Sequence, residues 1–233
     1  NIDFNVTSGS GVGTPSAAFG GPGGQAGFWN GITSSSPAVV TLSGLDGVAT
    51  AVTLNRATNG TFTSSNSVNT SGDRDKLMDD YQTIVGGTMV FTFNNLENGM
   101  YAVYTVAADP ASAGNLGTVN LPSPAIYCQP TQYIGGSIPN TGYKAGITHA
   151  VHTKDVIDGH LTINIADSFN GAGVISGLQL VKLPDYNARR RIYVDVSAAG
   201  GNDGGSWANA CNDLQAALAA ADHGGGIHFE IWV

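Results

Sequence analysis

Charge is what this chain has least of. Only 11% of its 233 residues are charged, against about 25% in ordinary soluble proteins. Lysine occurs at Lys76, Lys144, Lys154 and Lys182 and nowhere else, and the formal net charge is −8. A nucleic-acid binder needs basic surface to neutralise phosphates, so that class is excluded. The chain has no apolar run of about 18 residues, which excludes a membrane-spanning helix. It has two cysteines, Cys128 and Cys211, without the neighbours that make a metal or redox centre. They allow one disulfide or two buried thiols. No G-x-S-x-G elbow stands between a strand and a helix, so serine-hydrolase chemistry has no signature. With carboxylates this scarce, an enzyme is not expected.

What the chain does have is glycine, 33 residues of it, and an apolar fraction of 42%. Ser, Thr and Asn make up much of the remainder. That mixture suits short strands joined by polar turns, as in secreted β proteins. The chain opens directly on an alternating strand, Ile2-Asp3-Phe4-Asn5-Val6, which suits a processed or trimmed N-terminus.

The pattern along the chain predicts a mainly β fold. Residues 8–27 are rich in Gly, Ser, Pro and Ala and read as loop. Strands are predicted at Ala38–Leu42 and Val48–Leu54, around a turn at Gly44-Leu45-Asp46-Gly47. Residues 55–72 read as polar loop, and Asp73–Tyr81 as a helical turn. Thr88–Phe93 and Met100–Ala107 are strands, and 109–124, with its prolines, a loop. Ala125–Cys128, Gln132–Ile134 and Ala145–His152 follow as strands. In Leu161–Ile165 the apolar Leu161, Ile163 and Ile165 alternate with polar residues, which marks one buried and one wet face. A closing strand runs from Val174 to Leu183, and Pro184 ends it. The spacing of many short strands predicts an antiparallel jelly-roll β-sandwich over 1–183. Residues 184–191 read as a linker. After it, Arg191–Val196, a helix over Ser206–Asp222 and Ile227–Val233 form a parallel β-α-β segment, 192–233, too small to fold alone.

Two clusters of side chains carry possible chemistry. Trp29, Tyr101, Tyr104, Tyr133 and Tyr143, with Phe28, contain the rings for a sugar-stacking platform; ordinary core packing is the competing reading. Asp73, Asp75 and Asp79 gather oxygens of the kind that hold Ca²⁺, the one cofactor the sequence allows, though the spacing lacks a full calcium-loop signature. A solvated acidic turn is the alternative.

Two resemblances add to this. Gly27-Phe28-Trp29-Asn30, Leu77–Tyr81, Phe91–Tyr104 and Ala172–Val181 resemble galactose-binding-like jelly-roll modules in large surface proteins of planctomycete and verrucomicrobial bacteria. Ile192–Asp195, Gly201–Gly204, Ser206–Ala210, Asp213–Leu218 and Glu230–Val233 resemble the N-terminal cap of pectate-lyase-like right-handed parallel β-helices. The second resemblance implies that the chain stops where the first coil begins. The catalytic residues of such enzymes lie on later coils, so no lyase activity is implied.

Together these features predict a non-catalytic extracellular or cell-surface protein. An open terminal strand seeks a partner, so the leading expectation is a structural subunit assembling with itself into a filament, tube or layer. Ile2, Phe4, Phe229, Ile231 and Val233 would supply the contacts. The partner is then a second copy or a continuing β-helix. The alternative is a carbohydrate-binding or adhesion module of a larger secreted protein, with a polysaccharide as partner.

Overall fold

The computed structural model describes every residue except 58–59, 110–115, 123–130, 169–170, 184–190, 201, 203 and 222–229. In chain order the strands are β1 (Ile2–Phe4), β2 (Asn30–Ile32), β3 (Val39–Ser43), β4 (Ala49–Arg56) and β5 (Thr61–Ser64). Helix α1 (Asp73–Met78) leads into β6 (Asp80–Ile84), β7 (Thr88–Asn94), β8 (Gly99–Val106), β9 (Leu116–Asn120) and β10 (Thr131–Gly135). Then come β11 (His149–Val156), β12 (Leu161–Asp167), β13 (Gly173–Ile175) and β14 (Gly177–Lys182). Past 190 the chain adds β15 (Arg191–Tyr193), α2 (Leu214–Ala221) and β16 (Glu230–Trp232).

These strands form a jelly-roll β-sandwich. A five-stranded sheet runs β11-β8-β14-β1-β2, and a six-stranded sheet runs β10-β9-β12-β7-β4-β3. A smaller sheet, β13-β6-β5, adjoins them. Pairing within the two large sheets is antiparallel except for β1 beside β2. The core lies between the sheets. Phe4 of one sheet meets Phe91 of the other edge-to-face, with ring centroids 5.1 Å apart, and Leu54, Met89, Val103, Ile163 and Ile165 are fully buried around them.

The two sheets differ in how they are covered. Along β7 and β12 buried and half-exposed residues alternate, so that sheet has one dry face. β8 is buried for most of its length, and β14 over Gly177–Gln179, without alternation. Their second face lies under α1 and the glycine-rich loop. Trp29, Leu77, Met78, Val106, Ala108 and Ile138 form a separate core there. Gly177 makes this layer possible: a Cβ at that position would sit 2.5 Å from Leu77 Cδ1 and 3.1 Å from the carbonyl of Ile2. The loop itself is pinned by Gln179, whose amide donates to the carbonyls of Gly20 (3.0 Å) and Gln25 (3.3 Å) and accepts from Gly23 N–H (2.8 Å). A Cβ on Gly23 would come within 3.0 Å of Tyr104.

The structure departs from the sequence expectation in several places. The stretch predicted as one closing strand is two: β13 joins the small sheet, and β14 joins the five-stranded one. Four strands carry too little apolar pattern to be seen in advance. β2, β5 and β6 are short or polar, and β9 falls in the proline-bearing stretch. Ala125–Cys128 lies outside the described residues. β15 and β16 pair in parallel, as the β-α-β pattern implies, and α2 is shorter than the helix predicted over 206–222. No helix among the described residues is long and apolar enough to cross a membrane.

Truncation tests this layering. Phe91→Ala should cost about 3–5 kcal/mol in urea unfolding, the usual range for a buried Phe. Gly177→Ala should cost about 1–3 kcal/mol by overpacking the second layer. Tyr133→Ala, 56% exposed on edge strand β10, should change stability by less than about 0.5 kcal/mol.

Candidate functional site

A cleft of about 400 Å³ opens between the two sheets at one end of the sandwich. Binding pockets for small molecules commonly measure about 300–1,000 Å³. One wall is the inner face of the five-stranded sheet, with Ile2, Tyr101, Leu178 and Leu180. The other is Leu42, Thr50, Val52 and Phe93 of the six-stranded sheet. Leu45, Leu96 and Glu97, from two turns, complete it beside Gln25 and Lys182.

The rim is held rigidly. Asn30 on β2 spends its whole side chain there: Nδ2 donates to the carbonyls of Asn1 (3.1 Å) and Ser43 (3.0 Å), and Oδ1 accepts from Ser43 N–H (2.8 Å). This ties an edge of one sheet to an edge of the other. The turn after β3 is closed by Asp46, which accepts from Val48 N–H at 2.9 Å. Phe28 N–H donates to the Leu45 carbonyl at 2.8 Å, and the Phe28 ring, 42% exposed, packs near Gly47 of that turn. Gly27 is needed at this crossing, with φ +135° and a would-be Cβ 2.8 Å from Leu45 Cβ. The exposed Phe28 ring is thus fixed on the turn whose Gly44 and Leu45 line the cleft. Lys182 and Glu97 form an ion pair at the mouth of that cleft, and Tyr101 donates its hydroxyl to the Glu97 carbonyl at 2.7 Å.

The five predicted platform aromatics do not share one surface. Tyr101 lines the cleft but is almost buried. Trp29 is a core residue whose Nε1 donates to the Phe19 carbonyl at 3.3 Å. Trp29, Phe19, Tyr143, His149 and Tyr104 form a chain of rings 5.9–6.5 Å apart on the other face of the five-stranded sheet. Burial holds His149 down at about 4, and so neutral, and pushes the Tyr143 hydroxyl up. Tyr133 stands apart on β10. Leu45 and the Lys182–Glu97 pair come to one cleft only through long-range pairing, and no sequence spacing announces it.

The acidic stretch is divided by its own helix. Asp73 accepts from Ser16 Oγ (2.5 Å) and pairs with Lys76 (3.0 Å), which hold its carboxyl low. Asp79 is fully buried and accepts from Ser67 N–H (2.8 Å) and Thr70 Oγ1 (2.7 Å). Burial still raises it to about 6, with Asp75 hydrogen-bonded beside it. Among the described residues no group of three or more His, Cys, Asp or Glu is gathered as a metal requires. Behind Asp79 lie two further buried carboxyls. Asp3 accepts from Asn5 Nδ2 (2.7 Å) and Asp80 from Val6 N–H (3.0 Å), and each has one buried oxygen with no hydrogen-bond partner. Burial raises both, Asp80 to about 8, and each sits near other carboxylates.

Of the residues expected to assemble, Ile2 and Phe4 are spent on this chain's own core. They lie 3% and 0% exposed on a strand paired on both sides. In this chain they pack inward rather than offering an exposed contact. Ile231 is half-buried and Val233 exposed, and Phe229 lies outside the described residues. Cys211 is disulfide-bonded; Cys128, the other cysteine, lies outside the described residues.

No family model matches the chain, and no curated protein matches it. Among solved structures it is similar to protein YxiM of Bacillus subtilis, at 16% identity and TM-score 0.47, over 83% of this chain and 42% of that one. It is also similar to a calcium-binding mutant of Bacteroides uniformis β-glucuronidase 2, at 9% identity and TM-score 0.39, over 66% of this chain and 20% of that one. A third is Xyl-CBM35 in complex with a disaccharide containing glucuronic acid, at 17% identity and TM-score 0.30, over 55% of this chain and 91% of that module. The chain thus spans less than half the length of the first two. Likenesses this distant decide nothing about a ligand.

The buried carboxyls give a pH signature. An unfolded Asp titrates near 3.9, whereas Asp80 holds its proton to about 8. Between those values the folded state binds more protons, so this group's stabilisation is complete below about pH 4 and is lost as pH rises through about 8. Asp80→Asn removes that loss. Its melting temperature relative to the parent should climb steadily from pH 5 to pH 8.5; a flat difference would show that Asp80 titrates normally.

Proposed function

We propose that the chain is a non-catalytic carbohydrate-binding module of an extracellular or cell-surface protein, and that the inter-sheet cleft seats the sugar. The observation that carries this is the exposed Phe28 ring fixed on a turn that lines a cleft with apolar walls and a polar mouth. A sugar ring presents C–H bonds on its faces, which suit the negative face of an aromatic ring. Its hydroxyls need fixed donors and acceptors, and Lys182, Glu97, Gln25 and Thr50 stand at the same cleft. The rim is preorganised by Asn30, so little ordering is left to oppose binding.

A second reading, a self-assembling structural subunit, has one observation in its favour. β15 is paired with β16 on one side, and Val194 just after it is bridged to Cys211, while no described strand covers the outer edge of β16. Such an edge can accept a strand from another chain.

The test is retention on immobilised polysaccharides with light scattering on the same samples. Phe28→Ala should weaken retention at least tenfold, about 1.4 kcal/mol, with Tyr133→Ala as the unaffected control. Retention indifferent to Phe28 would sink the cleft reading. A monomer by light scattering agrees with the module, and ordered polymers would favour assembly.

A further inference from the structure

The segment after residue 190 carries a hollow of its own, of about 520 Å³. Its buried centre is small: Ile192, Val194, Cys211 and Ala217 pack together, with Ile231 against them. On one side of this centre the indole of Trp207 stands 48% exposed. It is held edge-on against Tyr193, with centroids 5.0 Å apart. Trp207 forms a wall of the hollow, with Leu214 and Val196 as further apolar lining. Two polar side chains line it as well, Asp195 and Asn212.

Both polar groups are fixed in place. Asp195 Oδ1 accepts from Ser197 N–H (2.8 Å) and Oγ (2.7 Å), and these bonds keep the carboxyl ionised. Asn212 Nδ2 donates to the carbonyls of Asp195 (3.0 Å) and Ala198 (3.0 Å), and its N–H donates to Asn202 Oδ1 (2.8 Å). Nδ2 is thus committed to backbone, which orients the amide. The hollow therefore combines an open indole, a fixed carboxylate and an oriented amide, in a volume suited to a small ligand.

We propose that this hollow is a second saccharide-binding site, which stacks one neutral sugar unit on Trp207 and engages its hydroxyls through Asp195 and Asn212. Neutral sugars fit better than acidic ones, because Asp195 is a carboxylate at neutral pH and no cation lines the hollow among the described residues. The site uses no residue of the sandwich cleft and stands independently of it. A polysaccharide chain with many equivalent units can engage both sites at once, so retention would gain from linkage.

Affinity electrophoresis of the full chain tests this, in native gels containing galactan, xylan, hydroxyethylcellulose or polygalacturonic acid. At least one neutral polysaccharide should retard the parent chain. Trp207→Ala should weaken that retardation at least tenfold. Asp195→Asn, which keeps the shape of the side chain, should weaken it three- to tenfold even where the indole variant is compromised in folding. Phe28→Ala combined with Trp207→Ala should abolish it. Retardation unchanged by both Trp207→Ala and Asp195→Asn overturns the proposal, and if it is lost on Phe28→Ala alone the cleft still stands. A parent chain retarded only by polygalacturonic acid, or by none of the four, overturns it as well.

Discussion

The middle of the five-stranded sheet, at β8 and the start of β14, is buried on both of its faces, and most of the unusual features of this chain answer to that constraint. Its inner face meets the six-stranded sheet through contacts such as Phe4 on Phe91. Its outer face lies under α1 and the glycine-rich loop. A sheet covered twice needs small residues where the covering layer approaches closely. Gly177 under Leu77 and Gly23 over Tyr104 are those residues. It also needs its outward polar side chains satisfied without water. Gln179 meets this need completely, by binding the covering loop. Asp3 meets it only in part, since one of its oxygens has no hydrogen-bond partner, and it relies on a raised pKa instead.

The same constraint explains where a ligand can bind. The second layer closes the outer face, so the aromatic chain from Trp29 to Tyr104 is mainly packing. The inner core is closed by interdigitation. Among the described residues one opening lies at the end of the sandwich, lined by the turns after β3 and β7. Asn30 fixes its rim by binding both edges at once. The exposed Phe28 is carried there by the same turn, on a backbone hydrogen bond to Leu45.

The segment from β15 to β16 follows a different logic. Its core is too small to bury its own larger side chains, so Trp207, Trp232 and Leu218 remain 41–48% exposed. In so small a unit, exposed apolar groups beside ordered polar ones mark a surface built for contact. Arg191 lies over Trp232, 4.7 Å from the ring centroid, and shields that indole. Among the described residues no cation lies over Trp207, and that difference separates the two tryptophans.

Much of the architecture was legible in the sequence. Leu161, Ile163 and Ile165 alternate strictly, as do Met89, Phe91 and Phe93. Both runs became strands of the sheet with one wet face, where period-two patterning must hold. The unpatterned strand around Tyr101–Val106 also read correctly as a strand, though not as one buried twice. The scarcity of charge and the turn at 44–47 needed no coordinates. What only the tertiary structure decided was partnership. β2, β5, β6 and β9 exist because neighbours distant in sequence complete their hydrogen bonds. The closing stretch divides because β13 and β14 find different sheets. The cleft, the placement of Phe28 on its turn and the burial of Asp3 and Asp80 arise from contacts between residues tens of positions apart. Local composition fixes which face of a strand is apolar, but not which surface will cover it.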